Sequence, residues 1–392
     1  MKVLQISNYI YPNIGGIEQV ARDIANALRD VPDVEQKIIC FNTDASDGAA
    51  VTHQNETVRD SVDGVEVQRC SSFAKLRSQS LSTSFGRELR RLMDSFDPDV
   101  VVFHYPNPFE AHFLLSYIHA HRGWESRHKL VLYWHLDIVK QKLLGKLFHP
   151  QTLELLRLAS EIVATSPNYI EGSPYLSRFR DKCRVIPNCI SETRMELSDA
   201  IRARALELRG QYGKDKILCF GIGRHIPYKG FRYLVEASRY LDDRFVVLIG
   251  GKGELTDTLK AQAAGDGKIH FLGRLSDEDL LACYLACDIF CFPSITKNEA
   301  FGIALAEGMS FEKPAVTFTI HGSGVNYVNL DGVTGIECPN GDSRAYAAAL
   351  TRLADDAQLR RQYGAAAAQR VRENFLSSQF AANIRALFAD LG

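Results

Sequence analysis

The feature that most constrains this chain is an alternation, run through twice, of short apolar segments and longer helical ones. In the first half the short segments are residues 3–7, 37–41, 65–69, 100–104, 131–134, 161–165 and 183–186. They are rich in β-branched residues and often apolar throughout. That pattern predicts parallel strands covered on both faces. Helical spacing falls between them, at 17–28, 82–96, 108–121 and 152–159. The pattern then restarts. Strands are predicted at 217–221, 245–249, 268–272, 289–292 and 315–318, and helices at 230–240, 254–263, 277–284 and 303–309. Two runs of strand–helix units predict an α/β protein of two doubly wound, Rossmann-like domains.

Length agrees, because 392 residues exceed the roughly 250–300 at which one core stops growing. A polar, charged stretch at 188–216 separates the halves, and Leu206, Leu208 and Tyr212 within it predict a packed helix there. The expected division is an N-terminal domain over 1–200, a C-terminal domain over 201–374 and a helix over 375–392 that packs back on the first domain. Ala347, Leu350, Leu353 and Ala354 share one apolar helical face, and Phe380, Ile384, Leu387 and Phe388 another.

Charge excludes one class. Lys plus Arg number 46 against 47 Asp plus Glu, so the basic excess of a nucleic-acid wrapper is missing and no nucleic-acid partner is expected. Nine Cys without a CxxC pair read as reduced, buried thiols of a cytoplasmic protein. The N-terminal MKVLQISNYIYP lacks a long apolar core and reads as a first strand, not a leader. No run of about 18 apolar residues predicts a membrane span.

Four loops at strand ends carry the chemistry. Tyr11 to Glu18 holds the Gly15–Gly16 pair at the entry to a helix, where free amides favour a negative group. It is not GxGxxG, and a plain turn explains it equally well. Residues 221–230, GIGRHIPYKG, place Arg224 and Lys229 between a strand and a helix, as phosphate ligands or as solvated cations. Gly250, Gly251 and Gly253 predict a second close approach. The strongest signal is 299–308, EAFGIALAEG: Glu299 falls in a loop and Glu307 about one turn into the following helix. The amides of Phe301, Gly302 and Ile303 are free to face a phosphate. His135 follows an apolar strand and precedes Asp137, placed for polar contact with a substrate or for a structural role. Eight of the 11 His lie in the first 150 residues, yet there is no HExxH and no tight His/Cys cluster, so no metal site is expected.

Taken together, these motifs resemble the retaining GT-B glycosyltransferases of family four, the group that builds bacterial lipopolysaccharide, capsule and exopolysaccharide. The resemblance runs over nearly the whole chain. It includes the Gly–Gly loop, WHLDIVKQK at 134–142, ATSPNYIEGSPYL at 164–176, RVIPNCI at 184–190, the Gly–Arg loop and the spaced glutamates. It implies two Rossmann-like domains facing across a cleft. It further implies that Gly15 and Gly16 approach the donor phosphates or the acceptor, and that His135 lies near the reacting sugar. Arg224 and Lys229 would hold the diphosphate, and Glu299 the hydroxyls of the transferred sugar. Phe301, Gly302 and Ile303 would contribute backbone contacts, and Glu307 would bind the ribose. The segment after the second glutamate departs from the family: Gly308 stands where Ala is frequent, and Glu312 occupies the usual turn position.

The implied partners are a nucleotide diphosphate sugar and a glycan or lipid-linked acceptor, with no cofactor and no divalent metal. Two basic stretches support peripheral contact with the inner membrane: Lys75, Arg77, Arg87, Arg90 and Arg91, and Lys140, Lys142 and Lys146 with Leu143, Leu144, Leu147 and Phe148. Solvated cations on ordinary helices explain them as well. The leading expectation is α-transfer of a hexose from a UDP-sugar. A GDP-mannose-dependent transferase, an enzyme of sucrose or trehalose type and a non-catalytic sugar- or nucleotide-binding module are the alternatives.

Overall fold

The computed structural model describes residues 1–13, 15–42, 56–76, 79–138, 142–213 and 215–392, with backbone only at 142–147. Ile14, Arg77, Lys140 and the side chains of Lys142, Leu143, Leu144, Lys146 and Leu147, invoked above, lie outside the described residues. The chain forms two compact units. The first comprises Met1–Thr165, Ser173–Ile186 and Phe380–Gly392; the second comprises Ser166–Gly172 and Pro187–Gln379.

The first unit is built on β1 (Lys2–Ile6), β2 (Glu35–Phe41), β3 (Val58–Val62), β4 (Val65–Cys70), a small hairpin of β5 (Ala74–Leu76) and β6 (Gln79–Leu81), β7 (Val100–Tyr105), β8 (Lys129–Trp134), β9 (Glu161–Ala164) and β10 (Cys183–Val185). The main sheet runs β10-β9-β8-β7-β1-β2-β4-β3. All its pairings are parallel except that of β3 with β4. Sequence reading missed β3 because VRDSV is half exposed and polar, as an edge strand should be. The helix predicted at 152–159 begins earlier, at Lys142, and carries Pro150 inside it.

The second unit holds β11 (Ile217–Ile222), β12 (Phe245–Gly250), β13 (Ile269–Gly273), β14 (Ile289–Phe292), β15 (Ala315–Phe318) and β16 (Gly335–Cys338). They form one sheet in the order β13-β12-β11-β14-β15-β16, parallel throughout. Counted within the unit this is 3-2-1-4-5-6, the doubly wound order that places ligands where the strand order reverses. Here that point lies beyond the carboxyl ends of β11 and β14. In the first unit the same reversal falls between β1 and β7.

The polar stretch between the halves does hold a helix, Asp199–Tyr212, opened by Ser198, whose Oγ accepts from the Ile201 amide at 3.2 Å. Ile201, Ala205 and Leu208 are buried in the second unit's core, and Leu206 points to solvent. The chain has already passed into that unit at Pro187. There the Ile190 amide donates to Phe375 O at 2.8 Å, and Ile190 O accepts from the Ser377 amide at 3.0 Å. The last helix, Ser377–Leu391, buries Phe380, Ile384, Leu387 and Phe388. Within the first unit, Arg385 Nε donates to Ala27 O at 2.9 Å. All nine cysteines are free thiols, eight of them buried.

Candidate active site

In the second unit the two loops at the reversal point lie against each other. The loop after β11 carries Arg224 and Lys229; the segment after β14 carries Glu299 to Ile303. Lys229 Nζ donates to Glu299 Oε2 at 2.5 Å. Ser294 Oγ donates to the same oxygen at 3.0 Å. The ion pair is mostly shielded, with side-chain exposures of 15% and 12%, and the ammonium also sits 5.2 Å from the Phe292 ring centroid. Sequence reading sent these groups to different parts of a ligand; the structure pairs them with each other. Arg224 is exposed and its guanidinium has no hydrogen-bond or ion-pair partner among the described residues.

Backbone contacts hold both loops. Gly230 has φ +65°, and a Cβ there would stand 2.0 Å from Pro293 O. The Ile295 amide donates to Tyr228 O at 2.9 Å. The predicted close approach of Gly250, Gly251 and Gly253 is to protein: a Cβ on Gly251 would meet Gly223 O at 2.0 Å, and one on Gly253 would meet His225 O at 2.5 Å. This glycine run backs the Arg224 loop. On the other side, Ser323 Oγ donates to Glu299 O, and the Gly324 amide donates to Ala300 O at 3.1 Å.

Gly302 takes φ +96°, a conformation that favours glycine, and opens the helix Ile303–Ser310. The amides of Gly302, Ile303 and Ala304 have no partner among the described residues, as expected of a helix start. Phe301 is buried against Phe375. Glu307, one turn in, is buried; Oε2 accepts from Tyr284 OH at 2.9 Å and Oε1 from Arg194 Nη1 at 3.3 Å. Burial lifts its carboxyl above the ordinary 4.5, an effect the Arg194 charge partly offsets. The first departure from the family pattern has a packing cause, and nothing in the structure explains the second. A Cβ on Gly308 would meet the Phe290 ring at 2.6 Å, and Glu312 takes the left-handed turn at φ +58°.

In the first unit, Gly15 precedes and Gly16 opens the helix Gly16–Arg29 at the end of the loop after β1. Gly15 is extended (φ −163°). No atom outside its chain neighbours and its own helix backbone lies within 4 Å of where a Cβ on Gly16 would stand. His135 follows β8 and is buried, and its amide donates to Tyr105 O at 3.0 Å. Asp137 does not orient its ring: Asp137 Oδ1 accepts from Trp134 Nε1 at 3.1 Å and from Ser173 Oγ at 2.8 Å. Instead His135 Nε2 meets His104 Nδ1 at 2.9 Å, and the rings stack with centroids 5.2 Å apart. Burial holds His104 neutral, with a pKa pushed down to about 3, and pushes that of His135 well below the usual range.

Sequence reading missed Gln5, His104, Arg194, Tyr284 and Ser294. Gln5 and His104 had a legible signal, since each is a polar residue in a strand otherwise apolar at its centre, and buried polar groups need partners. The first basic stretch is less basic than its letters: Arg87 and Arg91 both pair with Glu88, at 3.2 and 2.9 Å. Among the described residues, no helix is long and apolar enough to cross a membrane, and no group of three or more His, Cys, Asp or Glu is placed to hold a metal ion.

Residues 14–194 match the Glycosyltransferase Family 4 pattern, and residues 206–370 match Glycosyl transferases group 1. The chain is 31% identical over 378 residues to the D-rhamnosyltransferase WbpZ of Pseudomonas aeruginosa, covering 96% of this chain and 92% of that protein. It is 28% identical over 376 residues to the O-antigen chain mannosyltransferase C of Escherichia coli, at 96% and 94% coverage. Among solved structures, the sucrose-phosphate synthase of Thermosynechococcus elongatus superposes with a TM-score of 0.78 at 17% identity, covering 100% of this chain and 98% of the other. HepE of Anabaena, solved with UDP, superposes with 0.77 at 18% identity and 100% coverage of both. At such identities these two show the fold alone, which is GT-B. The chain belongs to the family 4 glycosyltransferases and is an enzyme of that class.

Proposed function

We propose that this enzyme transfers a hexose, with retention and in α linkage, from a nucleotide diphosphate sugar to a lipid-linked glycan in the synthesis of a bacterial surface polysaccharide. The observation that carries the reading is the cluster at the second unit's reversal point: a cationic loop, a shielded Lys–Glu pair, free helix-start amides and a buried glutamate one turn beyond. Lys229, Arg224 and the amides at Gly302 to Ala304 offset the charge that gathers on the diphosphate as the glycosidic bond breaks. Glu299 accepts from hydroxyls of the transferred sugar, and Glu307 from those of the ribose. His135, in the first unit, accepts from a sugar hydroxyl, and Gly16 leaves room for donor phosphate or acceptor, whereas beside Gly15 the Glu18 carboxylate fills that space. The departing phosphate takes the acceptor's proton. Glu299 and Glu307 bind ligand and do not form the acid–nucleophile pair of a glycosidase.

A calorimetric screen of UDP- and GDP-sugars, with turnover followed in EDTA, tests the reading. Binding of one donor and metal-independent transfer are expected. A strict requirement for divalent metal would overturn the phosphate-site account, and binding without turnover would favour a non-catalytic module. The leading donor is a UDP-hexose, from the overall family resemblance, and the second reading is GDP-mannose. The name of the Escherichia coli relative, a mannosyltransferase, favours the second.

Glu307 supplies a pH prediction. It must be ionised to accept two hydroxyl hydrogen bonds, and its carboxyl lies above the ordinary glutamate value. Donor affinity should therefore fall as pH drops through that raised pKa, while most carboxylates are still charged. Dissociation constants measured from pH 7 downwards should show this acid limb in the wild type and lose it in Glu307→Gln. A limb that persists in the variant assigns it to another group.

A further inference from the structure

Three buried polar side chains of the first unit form a line: Gln5 at the centre of β1, His104 near the end of β7 and His135 just past β8. Their strands are neighbours in the sheet, with Gln5 opposite Val102 and His104 opposite Tyr133. The direction of every proton in the line is fixed from one end. Gln5 Nε2 donates to Ala21 O at 3.2 Å, and a backbone carbonyl can only accept. The Gln5 amide oxygen therefore points the other way, at 3.0 Å from His104 Nε2. That oxygen also only accepts, so His104 Nε2 carries the proton. A neutral imidazole has one N–H, and His104, fully buried, is held neutral. His104 Nδ1 is thus a bare acceptor, and His135 Nε2, 2.9 Å away, must donate to it.

We infer that Gln5 and His104 are positioning residues that hold His135 as its Nε2–H tautomer and present its Nδ1 lone pair as a hydrogen-bond acceptor for a ligand hydroxyl. Nδ1 has no protein partner among the described residues. A lone pair facing a ligand accepts from O–H and repels phosphate oxygen, so this corner of the first unit selects a neutral hydroxyl-bearing group. The inference rests on the proposed role of His135 at the sugar.

The relay makes a reversal testable. In Gln5→Leu, His104 Nε2 loses its acceptor. His104 then gains by moving its proton to Nδ1 and donating to His135 Nε2. His135 becomes the Nδ1–H tautomer, and its ligand-facing atom changes from acceptor to donor. Gln5→Glu keeps an acceptor at His104 and should preserve the wild-type order. The measurement is histidine 15N NMR of the full chain, with the His135 signals assigned by their loss in His135→Gln, alongside steady-state transfer rates and a thermal melt. Expected are a protonated Nε2 on His135 in the wild type and in Gln5→Glu, and a protonated Nδ1 in Gln5→Leu. The kcat of Gln5→Leu should fall on the order of tenfold to a hundredfold, the range known for losing the outer hydrogen-bond partner of a metal-bound imidazole. A protonated Nδ1 in the wild type overturns the inference even if no variant folds, as does an unchanged tautomer in Gln5→Leu. Reversal of the tautomer with undiminished transfer keeps the relay and overturns the role of His135 at the sugar.

Discussion

Replacing Lys229 with Met should lower kcat by about 10²–10³, the loss typical when one donor to developing charge is removed. Met keeps most of the apolar stem beside Phe292 and deletes only the ammonium. The same change leaves Glu299 shielded, with Ser294 as its remaining side-chain donor among the described residues. An orphaned buried carboxylate costs up to about 3–5 kcal/mol, and this pair's residual exposure reduces the figure. Lys229→Met therefore falls in both rate and stability. The double variant Lys229→Met/Glu299→Gln separates the two: it removes the orphaned charge and should regain most of the denaturation midpoint, while transfer stays low. Denaturant melts and initial rates on the wild type, both single variants and the double variant give the cycle. Recovery of the rate in the double variant would show that Lys229 serves only to neutralise Glu299.

The second large effect is steric. Gly230→Ala should destabilise the second unit by roughly 2–5 kcal/mol, combining the left-handed backbone cost with forced overpacking. Its Cβ would stand 2.0 Å from Pro293 O, a backbone atom with no rotamer to change. The residue before it is Lys229, so any variant that survives carries a displaced ammonium, with donor binding and turnover both reduced. Gly265→Ala is the control: φ is also positive (+83°), but nothing lies within 4 Å of its Cβ. It should show the smaller, conformational part of the loss and normal turnover. Equal melts for the two variants would remove the steric argument.

The sheets were legible because parallel strands covered on both faces must be apolar throughout, and β1, β7, β8, β11, β12, β14 and β15 are close to that. What escaped was the edge strand β3, polar by position, and the short β5, β6 and β16, which three or four letters do not announce. At the site, glycines and charges marked the loops, since a strand end that must approach something closely has few residues to choose from. The partners those charges take were not legible. Lys229 and Glu299 are 70 residues apart, and only the 3-2-1-4 strand order brings the ends of β11 and β14 side by side. The same holds for Gln5 and His104, 99 residues apart. Gly308 stood out only as a departure from the family pattern; the Phe290 ring behind it is a contact the sequence alone does not supply.

The loops bearing the cations are stacked peptide on peptide, at Gly230 over Pro293, Gly251 over Gly223 and Gly324 over Ala300. Such a wall has no slack. It cannot widen to admit a bulkier sugar or shift to follow a different base without breaking the layers beneath it. Divergence in donor choice within this scaffold has to come from side chains and not from the glycines, where change is not tolerated.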